Sequence, residues 1–162
     1  MRLAALLALC ALAAPPARAA DTASIESVVK AVYETISGPA GPRDWVRFRA
    51  LFAEGARLIP MRPSAQGPSA VVMTPEEYAQ RTSPVFEKSA FYEAPVAQRV
   101  ESFGAIAHVF STYESRRAPG EKPFARGINS FQLVQQGGAW KIMTILWDTE
   151  REGNPLPEKY LK

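Results

Sequence analysis

The only histidine of the chain, His108, is the residue best suited to general acid–base chemistry near neutral pH. It lies in a segment, Ala105 to Arg116, whose apolar and polar residues alternate as in a β-strand. Asp148 or Asn129 could orient the imidazole if the fold brings them together. The alternative is a half-buried histidine with a structural hydrogen bond. A serine-hydrolase triad is not supported, because the sequence contains no G-x-S-x-G motif.

Asp148, near the end of the last apolar segment, is a second candidate for acid–base chemistry. A carboxyl group at the mouth of an apolar pocket could have a raised pKa and act as an acid or a base. It could equally form an ion pair with Arg126 or Arg151 at the rim. Asn129 adds a neutral hydrogen-bonding group that could orient a carbonyl or hydroxyl group of a ligand. His108 and Asp148 are therefore the candidate catalytic residues.

The composition excludes several other kinds of site. A single cysteine, Cys10, and a single histidine exclude a disulfide framework, a Cys/His zinc site and an iron–sulfur cluster, so no metal and no cofactor are expected. Without Arg2 and Arg18, which lie in a predicted leader segment, 17 basic residues face 16 acidic ones. A basic nucleic-acid-binding protein is thus disfavoured. With 162 residues, 47% of them hydrophobic, a single globular domain is predicted.

The N-terminal residues have the pattern of a secretory signal peptide. Arg2 precedes an apolar run from Leu3 to Ala14, and the small-x-small triplet Ala17-Arg18-Ala19 follows. Twelve apolar residues would extend about 18 Å as a helix, too short for a hydrocarbon core of about 30 Å. We therefore expect cleavage after Ala19, a mature domain of residues 20–162, a periplasmic or secreted location and no membrane association afterwards.

Three helices are predicted in the first half of the mature chain. From Ser24 onward, apolar residues recur at helical spacing over Ile25 to Ile36, which predicts a helix with one buried stripe. Asp44 is the predicted N-cap of a second, shorter helix. The sequence Thr74-Pro75-Glu76-Glu77 predicts the start of a third helix, which Pro84 interrupts or restarts.

The second half changes to an alternating pattern rich in Val, Phe, Tyr, Ile and Thr, which is typical of β-strands. A short strand over Arg57 to Met61 precedes it, and Pro60 and Pro63 limit this strand to an edge or an irregular segment. The four longer predicted strands are Ala90 to Phe103, Ala105 to Arg116, Ala125 to Gln135 and Ala139 to Thr149. Helices followed by consecutive hairpins predict an α+β domain in which a curved antiparallel sheet wraps around the helices.

The pair Gly137-Gly138 predicts a two-residue turn that places Gln136 opposite Ala139 and fixes the register of the last hairpin. Strict alternation then assigns the side chains of both strands to two faces. The concave, pocket-lining face would carry Asn129, Phe131, Thr144, Leu146 and Asp148. The outer face would carry Ile128, Met143, Ile145 and Trp147, an apolar patch that suggests a sheet-to-sheet homodimer interface. The alternative is that helices or loops cover this face and the protein stays monomeric.

The order helix, helix, short strand, helix and four antiparallel strands resembles the nuclear-transport-factor-2-like superfamily. The resemblance rests on Tyr33 in the first helix, the segment Asp44 to Leu58, and the final Gly-Gly-x-Trp-Lys-Ile strand with Trp140. It implies a cone-shaped α+β fold, as in ketosteroid isomerases, polyketide cyclases and scytalone dehydratase. The resemblance to ketosteroid isomerases further implies a tyrosine on the first helix and, as the general base, an acid after the second helix. The corresponding segment, Arg57 to Met61, has no carboxylate, so that activity is disfavoured.

Three functions remain open on this fold. The first is an exported domain whose largely apolar pocket binds a small apolar or aromatic molecule. The residues expected to line that pocket are Tyr33, Trp45, Phe48, His108, Asn129, Phe131, Thr144, Leu146 and Asp148. The second is an isomerase, cyclase or dehydratase that uses His108 with Asp148 or Tyr33. The third is a protein-interaction module whose pocket is filled by its own side chains.

Overall fold

The computed structural model describes residues 19–162, which contain three α-helices, six β-strands and two short 3-10 helices. The helices are α1 (Ile25–Ile36), α2 (Trp45–Ala50) and α3 (Pro75–Lys88). The strands are β1 (Phe52–Arg62), β2 (Ser69–Ala70), β3 (Tyr92–Phe103), β4 (Ile106–Arg116), β5 (Ala125–Gln136) and β6 (Ala139–Thr149). None of the helices in this range is long and apolar enough to cross a membrane. The predicted signal peptide, apart from Ala19, lies outside the described residues.

Side-chain caps fix where the helices begin, at the positions predicted from the sequence. At α1, the Ser27 backbone N–H donates to Ser24 Oγ at 3.1 Å, and the Ser24 N–H donates to Ser27 Oγ at 2.9 Å. Thr74 and Glu77 form the same reciprocal pair at α3. These bonds stabilise the helix starts because they satisfy backbone N–H groups that have no partner inside the helix.

Helix α3 continues through Pro84 without a break, although the sequence suggested an interruption there. A proline inside a helix removes one backbone hydrogen bond, here the one toward the carbonyl group of Gln80. Ala79 and Phe86 are both buried, so α3 is anchored to the core on either side of the proline. Tertiary packing therefore outweighs the local cost of Pro84.

The strands form one curved, open sheet in the order β2-β1-β6-β5-β4-β3. β1 runs parallel to β6, and all other neighbours in the sheet are antiparallel. β1 is longer than the predicted Arg57 to Met61, and its pairing with β6 is irregular between Phe52 and Arg57. The predicted α+β class and the antiparallel run of the last four strands are confirmed.

Helix α1 lies against one face of this sheet, which we call the inner face; the opposite one is the outer face. Val28 and Val32 of α1 are buried in one apolar cluster with Phe131 and Leu133 of β5. Arg47 of α2 fastens the N-terminal residues to this layer through two hydrogen bonds to the Asp21 carboxylate, at 2.8 and 2.9 Å. The helices therefore cover the inner face and leave the outer face to the C-terminal residues.

The turn between β5 and β6 forms as predicted. Gly137 and Gly138 have φ values of 58° and 79°, which glycine adopts without strain and which suit a two-residue hairpin turn. Gln136 pairs with Ala139, so the predicted starting register of the hairpin is confirmed.

A β-bulge at Met143 then breaks the predicted alternation of β6. Leu133 of β5 pairs with Ile142, but the preceding residue, Gln132, pairs with Thr144, so that Met143 is an extra residue. Because a bulge sets two residues of one strand against one of the other, it shifts the alternation by one position. From Thr144 onward, each side chain of β6 lies on the face opposite to the one predicted.

Gly127 of β5 allows three strands to approach closely, which gives a test of this packing. A Cβ atom at Gly127 would lie 2.3 Å from the Asp148 carbonyl oxygen and 2.6 Å from the Tyr113 hydroxyl oxygen. We predict that Gly127→Ala lowers the free energy of unfolding by about 2–3 kcal/mol, because backbone and a buried ring must move. Ser130→Ala, on the same strand, should cost less than about 1 kcal/mol. Chemical denaturation measures both, and equal losses would contradict the close approach.

Candidate functional site

A cavity of about 200 Å³ lies between the helices and the inner face of the sheet. Its wall is mostly apolar and includes Val32 of α1, Phe48 of α2, Phe131 of β5, and Ile145 and Trp147 of β6. A small number of polar side chains interrupt this wall. An apolar cavity with a few converging polar groups is the usual form of a small-molecule site.

Tyr33 of α1 belongs to a buried hydrogen-bond network beside the cavity. Its hydroxyl oxygen lies 2.7 Å from Ser111 Oγ of β4 and accepts a hydrogen bond from Asn129 Nδ2 of β5 at 3.1 Å. Burial raises the pKa of Tyr33, because the ionised phenolate would lose its hydration. The phenol therefore stays protonated and supports Asn129 from behind rather than lining the cavity itself.

The network ends at Glu93 of β3, which lines the cavity. Asn129 Nδ2 donates to Glu93 Oε1 at 3.2 Å, and the Ser115 hydroxyl group donates to Oε2 at 2.9 Å. The Glu93 backbone is held by Ser37, whose hydroxyl oxygen accepts from the Glu93 N–H at 2.9 Å and whose hydroxyl group donates to the Glu93 carbonyl at 3.1 Å. The carboxyl group thus has a fixed position at the cavity wall.

Burial raises the pKa of Glu93 to about 7. The low-polarity surroundings disfavour the carboxylate, while the hydrogen bonds from Ser115 and Asn129 favour it more weakly. None of the ion pairs within residues 19–162 includes Glu93. Both protonation states are consequently populated near neutral pH, the condition for a group that accepts and returns a proton.

Tyr113 of β4 is a further polar group in the cavity wall. Its hydroxyl oxygen lies 3.2 Å from Thr149 Oγ1, and burial raises its pKa to about 12. It remains a neutral phenol at physiological pH and can donate or accept a hydrogen bond. Glu93, Asn129 and Tyr113 therefore offer both donors and acceptors to one occupant.

His108 does not lie at the cavity, so its predicted position there is wrong. Val109, Ser111 and Tyr113 of β4 are buried on the inner face, which places His108 on the outer face. The His108 Nδ1 atom is 2.7 Å from Gln132 Nε2, and the imidazole stacks on Phe110. This arrangement matches the alternative expectation for His108, a half-buried histidine with a structural hydrogen bond.

Thr144, Leu146 and Asp148 are also absent from the cavity wall, because the bulge moves them to the outer face. Arg151 Nη1 donates to Asp148 Oδ1 at 2.5 Å and Nη2 donates to Oδ2 at 3.1 Å. This guanidinium group holds the pKa of Asp148 below its usual value. Their predicted pocket positions are wrong, and of the two alternatives for Asp148 the rim ion pair is present.

The bulge has the opposite effect on Ile145 and Trp147, which were predicted on the outer face. Both line the cavity, where Ile145 pairs with Phe131 and Trp147 pairs with Asn129. Met143 is the bulge residue. The predicted dimer patch therefore does not exist as one outer surface.

Ile128 does lie on the outer face, but the C-terminal residues cross over this region. Tyr160 packs its ring against Phe110, with centroids 4.9 Å apart, and its carbonyl oxygen accepts a hydrogen bond from Thr112 Oγ1 at 2.6 Å. A second cavity, of about 360 Å³, lies between these residues and the sheet, and Ile128 and Leu146 line it. The chain itself thus covers this part of the outer face.

Three predicted pocket residues, Phe48, Asn129 and Phe131, do line the inner cavity. Trp45 lies behind Phe48, with ring centroids 5.3 Å apart in an edge-to-face arrangement. Its indole N–H donates to Ser83 Oγ of α3 at 3.3 Å. Trp45 therefore supports the cavity wall without reaching the cavity.

Glu93 is the main site residue that the sequence did not reveal. A glutamate within an alternating strand fits a solvent-facing position, and only the spacing from Phe91, two residues earlier, could have indicated that both face the cavity. Ser115 and Tyr113 share the inner face of β4 for the same reason. Among residues 19–162, no three His, Cys, Asp or Glu side chains are grouped as metal ligands would be.

No protein-family model matches this chain, and no curated protein matches it. Solved structures are similar in fold. A cystatin-like protein of unknown function from Nostoc punctiforme is 12% identical, with a TM-score of 0.60 over 78% of this chain and 88% of that one. A protein from Streptomyces avermitilis, provisionally assigned as a dehydratase of the NTF2-like family, is 12% identical, with a TM-score of 0.59 over 81% of this chain and 96% of that one.

A third structure, from Shewanella frigidimarina, is provisionally assigned as a ketosteroid isomerase. It is 17% identical, with a TM-score of 0.53 over 80% of this chain and 97% of that one. Likeness at such low identity establishes the fold and leaves the chemistry to the site. The chain has the nuclear-transport-factor-2-like, or cystatin-like, fold that its sequence predicted.

Proposed function

We propose that this protein binds a small ring-containing molecule in the inner cavity and holds one polar group of that molecule at Glu93. The cavity, about 200 Å³, is somewhat larger than the apolar cavity of about 150 Å³ that accommodates benzene. One ring or two fused rings would fill it. The observation that carries the proposal is a hydrogen-bonded carboxyl group facing a space that is otherwise mostly apolar.

The polar groups favour a hydroxyl or a carbonyl group on the ring. Asn129 uses its amide N–H groups on Tyr33 and Glu93, which leaves its Oδ1 atom as an acceptor. A ligand hydroxyl group could donate to this oxygen and accept from protonated Glu93. A carbonyl oxygen could accept from Glu93 or Tyr113 instead. A hydrocarbon without such a group would leave these polar atoms unsatisfied, which costs binding free energy.

Acid–base catalysis on the same occupant is the second candidate function, favoured by the pKa of about 7 at Glu93. A proton shift beside a carbonyl group, or loss of water from a ring alcohol, requires a group that takes one proton and returns one. Glu93 can do both without a metal or cofactor. The fold neighbours provisionally assigned as a ketosteroid isomerase and a dehydratase belong to these reaction classes. Glu93 takes the place that the sequence had suggested for His108 and Asp148.

Export from the cytoplasm remains part of the proposal, on the strength of the N-terminal sequence. Cleavage after Ala19 would retain Asp21 and its hydrogen bonds to Arg47, so the mature domain would keep this anchor. We expect protein isolated from the periplasm or the medium to begin at Ala20, as determined by intact mass and N-terminal sequencing. A full-length cytoplasmic protein would contradict export.

Binding can be tested with 2-naphthol, which has two fused rings and one hydroxyl group. We expect it to quench or shift the fluorescence of Trp147, a cavity residue, in a saturable way. Val32→Trp should abolish binding by filling the cavity, and Glu93→Ala should weaken it by about tenfold or more. His108→Ala is the matched control and should leave the affinity within twofold. Unchanged affinity in Val32→Trp would refute the proposed site.

The titration of Glu93 should affect stability with a definite sign. Its pKa rises from 4.5 in the unfolded chain to about 7 in the folded one, so the folded state holds the proton more tightly. The stabilisation that the folded state gains from this tighter proton binding is complete below about pH 4.5 and is lost as the pH rises through 7. It amounts to at most about 3 kcal/mol.

Glu93→Gln isolates this contribution, because glutamine keeps the hydrogen-bonding shape but cannot ionise. The free energy of unfolding of the natural protein, measured relative to Glu93→Gln, should fall between pH 4.5 and 7. Denaturant titrations at closely spaced pH values provide the comparison. A difference that stays constant over this range would show that Glu93 has an ordinary pKa.

A further inference from the structure

The edge of β3 has no neighbouring strand along residues 92–103. β3 is the last strand of the sheet and pairs with β4 on one side only. On the other side, the bridge between Phe91 and Gly38 lies just before the strand begins. Unpaired N–H and C=O groups on a strand of this length can pair with another strand, unless the protein protects them.

The backbone of β3 is interrupted in the first half of the strand and regular in the second. Pro95 and an irregularity between Pro95 and Ala97 interrupt the first half. From Ala97 to Phe103 the pairing with β4 is regular. In this half, Val100 is 44% exposed and Phe103 is 85% exposed. A regular stretch of free edge that carries exposed apolar side chains is suited to pairing with a strand.

We propose that two copies of this chain associate by antiparallel pairing of this free edge, about a two-fold axis at Val100. Val100 would then lie opposite the partner's Val100. Arg99 would lie opposite the partner's Glu101, and Glu101 opposite the partner's Arg99. Opposite charges directly across an antiparallel pair stabilise it, and the symmetry supplies this pair twice.

The charges select this register over its neighbours. An axis at Arg99 would place two arginines opposite each other, and an axis at Glu101 would do the same with two glutamates, both of which are unfavourable. Successive residues of β3 direct their backbone N–H and C=O groups alternately toward the free edge and toward β4. An axis between two residues would set a residue of one kind opposite a residue of the other, and such pairs cannot form a ladder. Only the axis at Val100 places unlike charges opposite each other and also lets the backbone groups of the two strands form hydrogen bonds.

The Arg99 side chain is already held on the outer face. Its Nη2 atom donates to the Lys159 carbonyl oxygen, and its guanidinium group lies 5.3 Å from the Tyr160 ring centroid. Glu101 faces the same side, because residues two apart on a strand share a face. A guanidinium group has five N–H donors, so Arg99 can bind the partner's Glu101 without releasing the C-terminal residues.

Charge-reversal variants test both the association and its register. We expect sedimentation velocity to show a concentration-dependent dimer for the natural protein. Arg99→Glu and Glu101→Arg should each weaken it by at least about tenfold, because each sets like charges across the pair twice. Glu54→Arg, an exposed reversal on β1, is the matched control and should leave the dimer unchanged.

Mixing the two variants provides the decisive comparison. Arg99→Glu and Glu101→Arg should form a mixed dimer that is stronger than either variant alone, because their charges are again opposite across the edge. A natural protein that is monomeric at all concentrations overturns the proposal. So does a dimer that is insensitive to both variants, which would place the interface elsewhere, or a mixture without gain. Circular dichroism of each variant verifies that the fold is retained.

Discussion

The extra residue in β6, Met143, is the constraint on which the cavity depends. The bulge turns Ile145 and Trp147 inward and Thr144, Leu146 and Asp148 outward. Without it, the end of β6 would present two polar residues to the core and two large apolar ones to the outer face. The cavity owes its apolar wall at β6 to one irregular position in an otherwise regular ladder.

The second feature of the site is the way a single amide joins three elements. Asn129 of β5 donates to Tyr33 of α1 and to Glu93 of β3, so the helix and the far side of the sheet are fixed relative to each other. Because this network is buried, each polar atom needs a partner and the geometry is well defined. The position of Glu93 thus follows from hydrogen bonding, and its proton affinity follows from desolvation.

Fold and function are separable in this protein. Structures with the same arrangement of helices and sheet include proteins of unknown function and others provisionally assigned to two different reactions. This chain has its own set of groups for chemistry, with a glutamate on β3 and no carboxylate over Arg57 to Met61 of β1. The proposed chemistry therefore rests on the contacts of Glu93 and not on the fold.

The sequence by itself determined the local features: the helix starts at Ser24, Asp44 and Thr74, the glycine turn, and the order of elements from which the α+β fold follows. These depend on neighbouring residues or on simple periodicity, which a sequence displays directly. Tertiary structure decided the rest. An unpaired residue such as Met143 has no local mark, and one such residue reverses the face of every side chain after it. The carboxyl group of Glu93 is held at the cavity only because distant residues, Ser115 and Asn129 among them, surround it.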